Sequence, residues 1–133
     1  MSIENTPFLR NTLIADGMTG IGAAALTIFG ASALGPLLQL PEGLLFWAGV
    51  ALLPVAVLLF AAARRPAVPR SWLTEIVLIN ALWVVASFGL LVSGLIQPNM
   101  LGTAFIVAQA LAVALFAVLQ ASVLKAGSRG VAA

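Results

Sequence analysis

The chain of 133 residues has no cysteine and no histidine. That excludes disulfides, the usual haem and zinc sites, and cysteine or histidine catalysis. Charge is scarce as well: six lysines and arginines and four acids make up 8% of the chain, against 62% hydrophobic residues and a mean hydropathy of +1.17. A water-soluble domain carries about 25% charged and about 45–50% apolar residues, so this composition predicts one small integral membrane domain. Lipid anchoring has no motif to use, since there is no cysteine and Ser2 stands where myristoylation needs glycine.

What is present is long apolar stretches. A hydrocarbon core of about 30 Å needs roughly 20 apolar residues in a helix. Four segments qualify, predicting helices over residues 8–34, 42–63, 72–96 and 100–125. The first is interrupted only by Asp16. The uncharged run from Ile76 to Leu124 is too long for one crossing and divides at Gln97-Pro98-Asn99, because proline cannot continue a helix and asparagine caps the next. Thr6-Pro7 reads as a helix start, Pro41-Glu42 as another, and Ser71 as a cap for the third span. The small, polar tail after Lys125 is expected to fray. The fold class expected is an all-α membrane protein, a four-transmembrane-helix bundle.

All six basic residues fall on one side of such a bundle: Arg10, then Arg64, Arg65 and Arg70, then Lys125 and Arg129. The opposite loops hold Glu42 and no lysine or arginine. The positive-inside rule then predicts both termini cytoplasmic and a multi-pass location in a bacterial inner membrane. The basic loop is expected to attract anionic headgroups and is no evidence for nucleic acid. Ala31-Ser32-Ala33 has the form of a cleavage site. Its apolar stretch is long for a signal peptide, and Arg10 is offset by Glu4, so a retained span is expected.

Small residues recur at helical spacing. Gly20, Gly22 and Ala24 on span one, and Ala104, Ala108 and Ala112 on span four, are candidate packing positions; Ala110, Ala114, Ala117 and Ala121 form a second line on span four. Spans one and four are therefore expected to be well packed, with two and three more lipid-facing. Trp47 and Trp72 sit where interfacial belts lie, and Pro54 falls mid-span in helix two. The two halves share a faint similarity: Gly43-Leu44-Leu45-Phe46 through Ala51-Leu52 matches Gly102-Thr103-Ala104-Phe105 through Ala110-Leu111 at a constant offset, and Asp16 in Leu13-Ile14-Ala15-Asp16 is set separately against Asn80 in Val77-Leu78-Ile79-Asn80. Any such repeat is parallel, about an axis along the membrane normal.

Chemistry-bearing groups are few. Asp16 is the one acid well within a span, and intramembrane ionisable residues point to function. One reading makes it a proton- or cation-coupling carboxylate with Asn80, Gln109 and Thr12 or Thr19 as polar neighbours and Pro54 shaping the pathway. The other keeps it shallow, hydrated or paired with Arg10, Arg64 or Arg65. Asn80, Gln109 and Gln120 are expected to form an interhelical network. No nucleophile–base pair, carboxylate pair or phosphate loop is present, and no cofactor or metal is expected.

Ala15-Asp16-Gly17-Met18-Thr19-Gly20 is superficially similar to the first-helix motif of small multidrug-resistance transporters, but that family uses a deeper glutamate with aromatic neighbours that this chain lacks at matching places. Ala15-Asp16-Gly17, Leu40-Pro41, Leu52-Leu53-Pro54, Asn80-Ala81-Leu82-Trp83-Val84 and Gly102-Thr103-Ala104-Phe105 resemble small bacterial four-span integral membrane proteins, which are somewhat DoxX-like. The resemblance implies the topology and no defined activity. The expected function is a non-enzymatic accessory or scaffold subunit, within a larger membrane complex or homo-oligomer, acting through helix contacts. The alternative is a small proton- or cation-coupled transporter using Asp16.

Overall fold

Thr6 and Pro7 start the first helix as their chemistry dictates. The Thr6 hydroxyl accepts from the Leu9 amide (3.3 Å), and Pro7 takes the first helical position, where its missing N–H has no intrahelical partner to lose. The structure, a computed structural model, describes residues 2–132 and the side chains of residues 2–126. The described residues form strand β1 (Ser2–Glu4), helices α1 (Pro7–Phe29), α2 (Ala31–Leu38) and α3 (Glu42–Ala63), strand β2 (Ala67–Pro69), and helices α4 (Arg70–Ser93) and α5 (Met100–Ala132). Helices α1, α3 and α4, and α5 over Met100–Ala126, are long and apolar enough to cross a membrane.

Several expected boundaries move, each for a local reason. Span one is not one helix over 8–34. It breaks at Gly30, where a Cβ would overlap the Leu26 carbonyl, and α2 restarts at Ala31 and carries Pro36. Gln39 then closes α2 in the left-handed conformation (φ 54°). Pro69, not Ser71, occupies the cap position of α4, so Ser71 lies in the first turn. The same helix stops at Ser93 rather than 96, because Gly94 turns left-handed (φ 78°). Helix α5 runs past 125 to Ala132, in place of the frayed tail; the Arg129 side chain lies outside the described residues.

The sequence gives no warning of the strand pair. β1 and β2 are antiparallel, with Ile3 opposite Val68, and Val68 is fully buried. Beside them Asn5 donates through Nδ2 to the carbonyls of Ala63 (3.0 Å), Arg65 (2.8 Å) and, more weakly, Ala62 (3.4 Å), closing the open carbonyl end of α3. At the other end Asn99 donates to the Leu37 carbonyl (2.8 Å) and accepts from the Gly102 amide (2.8 Å), so one side chain caps α5 and holds α2.

Helix α1 packs chiefly on α3, and α4 on α5. Two apolar clusters fill the ends. One, at the strand end, joins Leu9, Leu13, Leu59, Val68, Leu73 and Ile76; the other joins Ala31, Leu38, Leu40, Leu45, Ile96 and Ile106. The glycines that permit close approach are Gly17, where a Cβ would lie 2.8 Å from the Phe60 ring, and Gly49, whose Cβ would meet Thr27 and the Ala24 carbonyl (3.1 Å). The expected packing set is only partly right. Ala24 is buried and Ala112 half-buried. Gly20 faces open space, and Gly22, Ala104 and Ala108 are exposed, because the second alanine line on α5, led by fully buried Ala110, is the one turned inward. Nor is α5 better packed than α4; α1 is the most buried of the four.

Candidate functional site

Between the two apolar ends lie two polar layers. The first is built on Asp16, near the middle of α1 and about 13 Å along its axis from Pro7. Asn80 of α4 donates to Asp16 Oδ2 (2.9 Å) and to Gln120 Oε1 (2.8 Å), and Gln120 of α5 donates to the same Asp16 Oδ2 (2.8 Å). The three side chains close a triangle from three helices. They are buried: Asp16 is 6% exposed, Asn80 4% and Gln120 0%.

This corrects the pairing expected for Asp16. The carboxylate is buried and not paired with Arg10, Arg64 or Arg65; among the described residues its partners are two neutral amides. Asp16 and Asn80, named as polar neighbours in the coupling reading, do meet. Thr12 and Thr19 do not join them. Each hydroxyl donates back to its own helix, to Phe8 and Ala15, both at 2.8 Å. Thr19 still lines the adjoining cavity.

The second layer sits nearer the α2 end. Trp83 of α4 donates its indole N–H to Gln109 Oε1 (2.7 Å). Gln109 of α5 in turn donates to Ser87 Oγ (3.0 Å) and the Ile106 carbonyl (2.8 Å), and Ser87 donates to the Trp83 carbonyl (2.7 Å). Gln109 and Gln120, eleven residues apart, thus face inward about 16 Å apart on α5 but serve different layers. The network expected to join both glutamines to Asn80 is therefore two networks. Trp83 and Ser87 are the members that sequence reasoning missed, since an aromatic on an apolar span reads as packing.

Two cavities flank the second layer. One, of about 70 Å³, has Asp16 and Asn80 at one end and Trp83 and Gln109 at the other, with Ala23, Leu52 and Ala56 among its walls. The second, of about 120 Å³, continues past Trp83 and Gln109 and is lined by Thr27, Leu45, Ser87 and Phe105. Each has room for water. Pro54 lines neither; it is exposed on the outer side of α3, while Leu52 faces both. No group of three or more metal-binding side chains occurs among the described residues.

The basic residues gather at the strand end. Arg65 lies over the Trp72 ring, 4.9 Å from its centroid, and Arg70 donates to the Leu124 carbonyl (3.4 Å). Arg10 and Arg64 share one surface depression. The chain matches no family model, no curated protein and no solved structure.

Proposed function

We propose that this chain is a small multi-pass transport protein in which Asp16 binds a proton or small cation during passage through the bundle. One observation carries the reading: the one acid well within a span is held by neutral amides at the end of a cavity between the helices. A carboxylate set among neutral groups at such depth attracts a counter-charge. Asn80 and Gln109 supply further oxygen and nitrogen atoms along the cavities, and Trp83 with Gln109 stands between them. The basic residues at one end support an orientation with both termini and the 64–70 loop cytoplasmic, in a bacterial inner membrane. No catalytic role is assigned.

The test is flux through proteoliposomes carrying a trapped pH dye, under an imposed proton or sodium gradient. The native chain is expected to admit one of the two ions above the rate of empty vesicles, and Asp16→Asn, which keeps the shape, to abolish that movement. Equal flux through the native chain and Asp16→Asn, or none above empty vesicles, sinks the proposal.

A second reading is an accessory or scaffold subunit, or a small homo-oligomer. It is favoured by Ala104 and Ala108, which face outward and leave a close-approach surface for another helix. Mild extraction followed by native mass determination decides: a defined complex supports it, and a lone monomer ends it.

A further inference from the structure

We infer that the outer face of α1 and α3 carries a binding site for the phosphate headgroup of an anionic phospholipid, with Arg10 and Arg64 as its ligands. The site needs only that the helices lie in a bilayer and does not depend on the transport reading.

The depression, about 550 Å³ and open to the outside, is formed by Arg10 and Ile14 of α1 and by Phe60, Ala63 and Arg64 at the end of α3. Its arrangement follows from spacing. Ile14 is four residues beyond Arg10, and Phe60 four residues before Arg64, so each pair lies on one helix face about 6 Å apart along the axis. The two helices run in opposite directions. Both guanidiniums therefore sit toward the strand end, with both apolar side chains one turn deeper. That is the polarity of a phospholipid, charged head outward and hydrocarbon inward.

Two features keep the charges available. Among the described residues neither guanidinium has a hydrogen-bond or ion-pair partner. The usual intramolecular use for a basic side chain at a helix end, the terminal carbonyls, is already taken, because Asn5 donates to Ala62, Ala63 and Arg65. A third feature fixes the floor. The Phe60 ring lies against Gly17, and any side chain there would displace it. Two guanidiniums on opposite walls suit a phosphate, whose oxygens accept paired N–H donors.

The neighbouring cations provide the control. Arg65 is stacked on Trp72, and Lys125 belongs to α5. Replacing Arg65 and Lys125 together removes the same net charge from the same end without touching the depression.

The experiment counts lipids retained by the delipidated, detergent-solubilised chain in native mass spectra during titration with phosphatidylglycerol or phosphatidylcholine. The native chain and the Arg65→Gln/Lys125→Gln variant are expected to hold one phosphatidylglycerol each, and Arg10→Gln/Arg64→Gln to bind it about thirtyfold more weakly. Thermal unfolding of both variants at the native temperature shows that the fold is intact; if Arg10→Gln/Arg64→Gln unfolds early, Arg10→Lys/Arg64→Lys replaces it, with weakened but measurable retention expected. Equal losses in the two double variants mean general surface charge and overturn the site. So do equal retention of phosphatidylcholine and displacement of the lipid by inorganic phosphate at matched concentration, which assigns the depression to the free ion.

Discussion

The two polar layers are chemically alike in size and opposite in what they connect. Trp83, Gln109 and Ser87 all belong to α4 and α5 and lean on two backbone carbonyls of those same helices. Asp16, Asn80 and Gln120 use side-chain atoms alone and join α1 to the α4–α5 pair. The first kind of layer tightens a pair that is already packed. The second holds two pairs together and places the buried Asp16 carboxyl at the seam. A hydrogen-bonded cluster inside a bilayer is thus not glue by default; its meaning depends on whether its members share a packed helix pair.

The sharpest way to break this contrast is to remove one hydrogen-bonding side chain from each layer. Asn80→Ala deletes two bonds, one of them to a carboxylate, and leaves Gln120 Oε1 without its donor; about 3 kcal/mol of stability should be lost. Ser87→Ala removes contacts that its neighbours replace within the pair, at about 0.6 kcal/mol, the average for such bonds in membranes. Reversible unfolding in mixed micelles compares them, and equal losses would remove the distinction.

A smaller effect tests the seam from the other side. Gly49→Ala pushes on Thr27 and the Ala24 carbonyl, so it should open the α1–α3 pair at a cost of about 1–2 kcal/mol. Gly22→Ala, at an exposed position, should stay within about 0.5 kcal/mol. Neither should break the Trp83–Gln109 hydrogen bond, whose two members belong to the other pair. The smallest signal is spectroscopic. In a Trp47→Phe/Trp72→Phe background, Gln109→Leu removes the acceptor of the Trp83 indole, and its emission should move to shorter wavelength. Unchanged emission would place Trp83 elsewhere.

How much of this could be read from the residues varies with the range of the interaction. The spans, the Thr6-Pro7 start and the Asn99 cap are local, written in apolar run length and in one or two adjacent residues. The Asp16–Asn80 meeting was legible only in that both are polar groups inside otherwise apolar spans. The break at Gly30 was hidden because the apolar run continues through it. The inward face of α5 was ambiguous, since alanines occupy both of its lines and only contact with α4 selects Ala110 over Ala104. The β1–β2 pair leaves no periodic trace at three residues per strand, and its partners lie more than sixty residues apart. Gln120 and Gln109 are indistinguishable by type, and depth alone decides which one reaches the carboxylate.

The strand pair and the Asn5 clamp are also closed within the first half of the chain. Everything they need, β1, the end of α3 and β2, lies within residues 2–69. The first half can therefore latch shut before α4 has left the ribosome. The latched hairpin then holds a carboxylate whose two donors, Asn80 and Gln120, have yet to be made. Until they are, Asp16 has neither of the partners that hold it in the finished bundle.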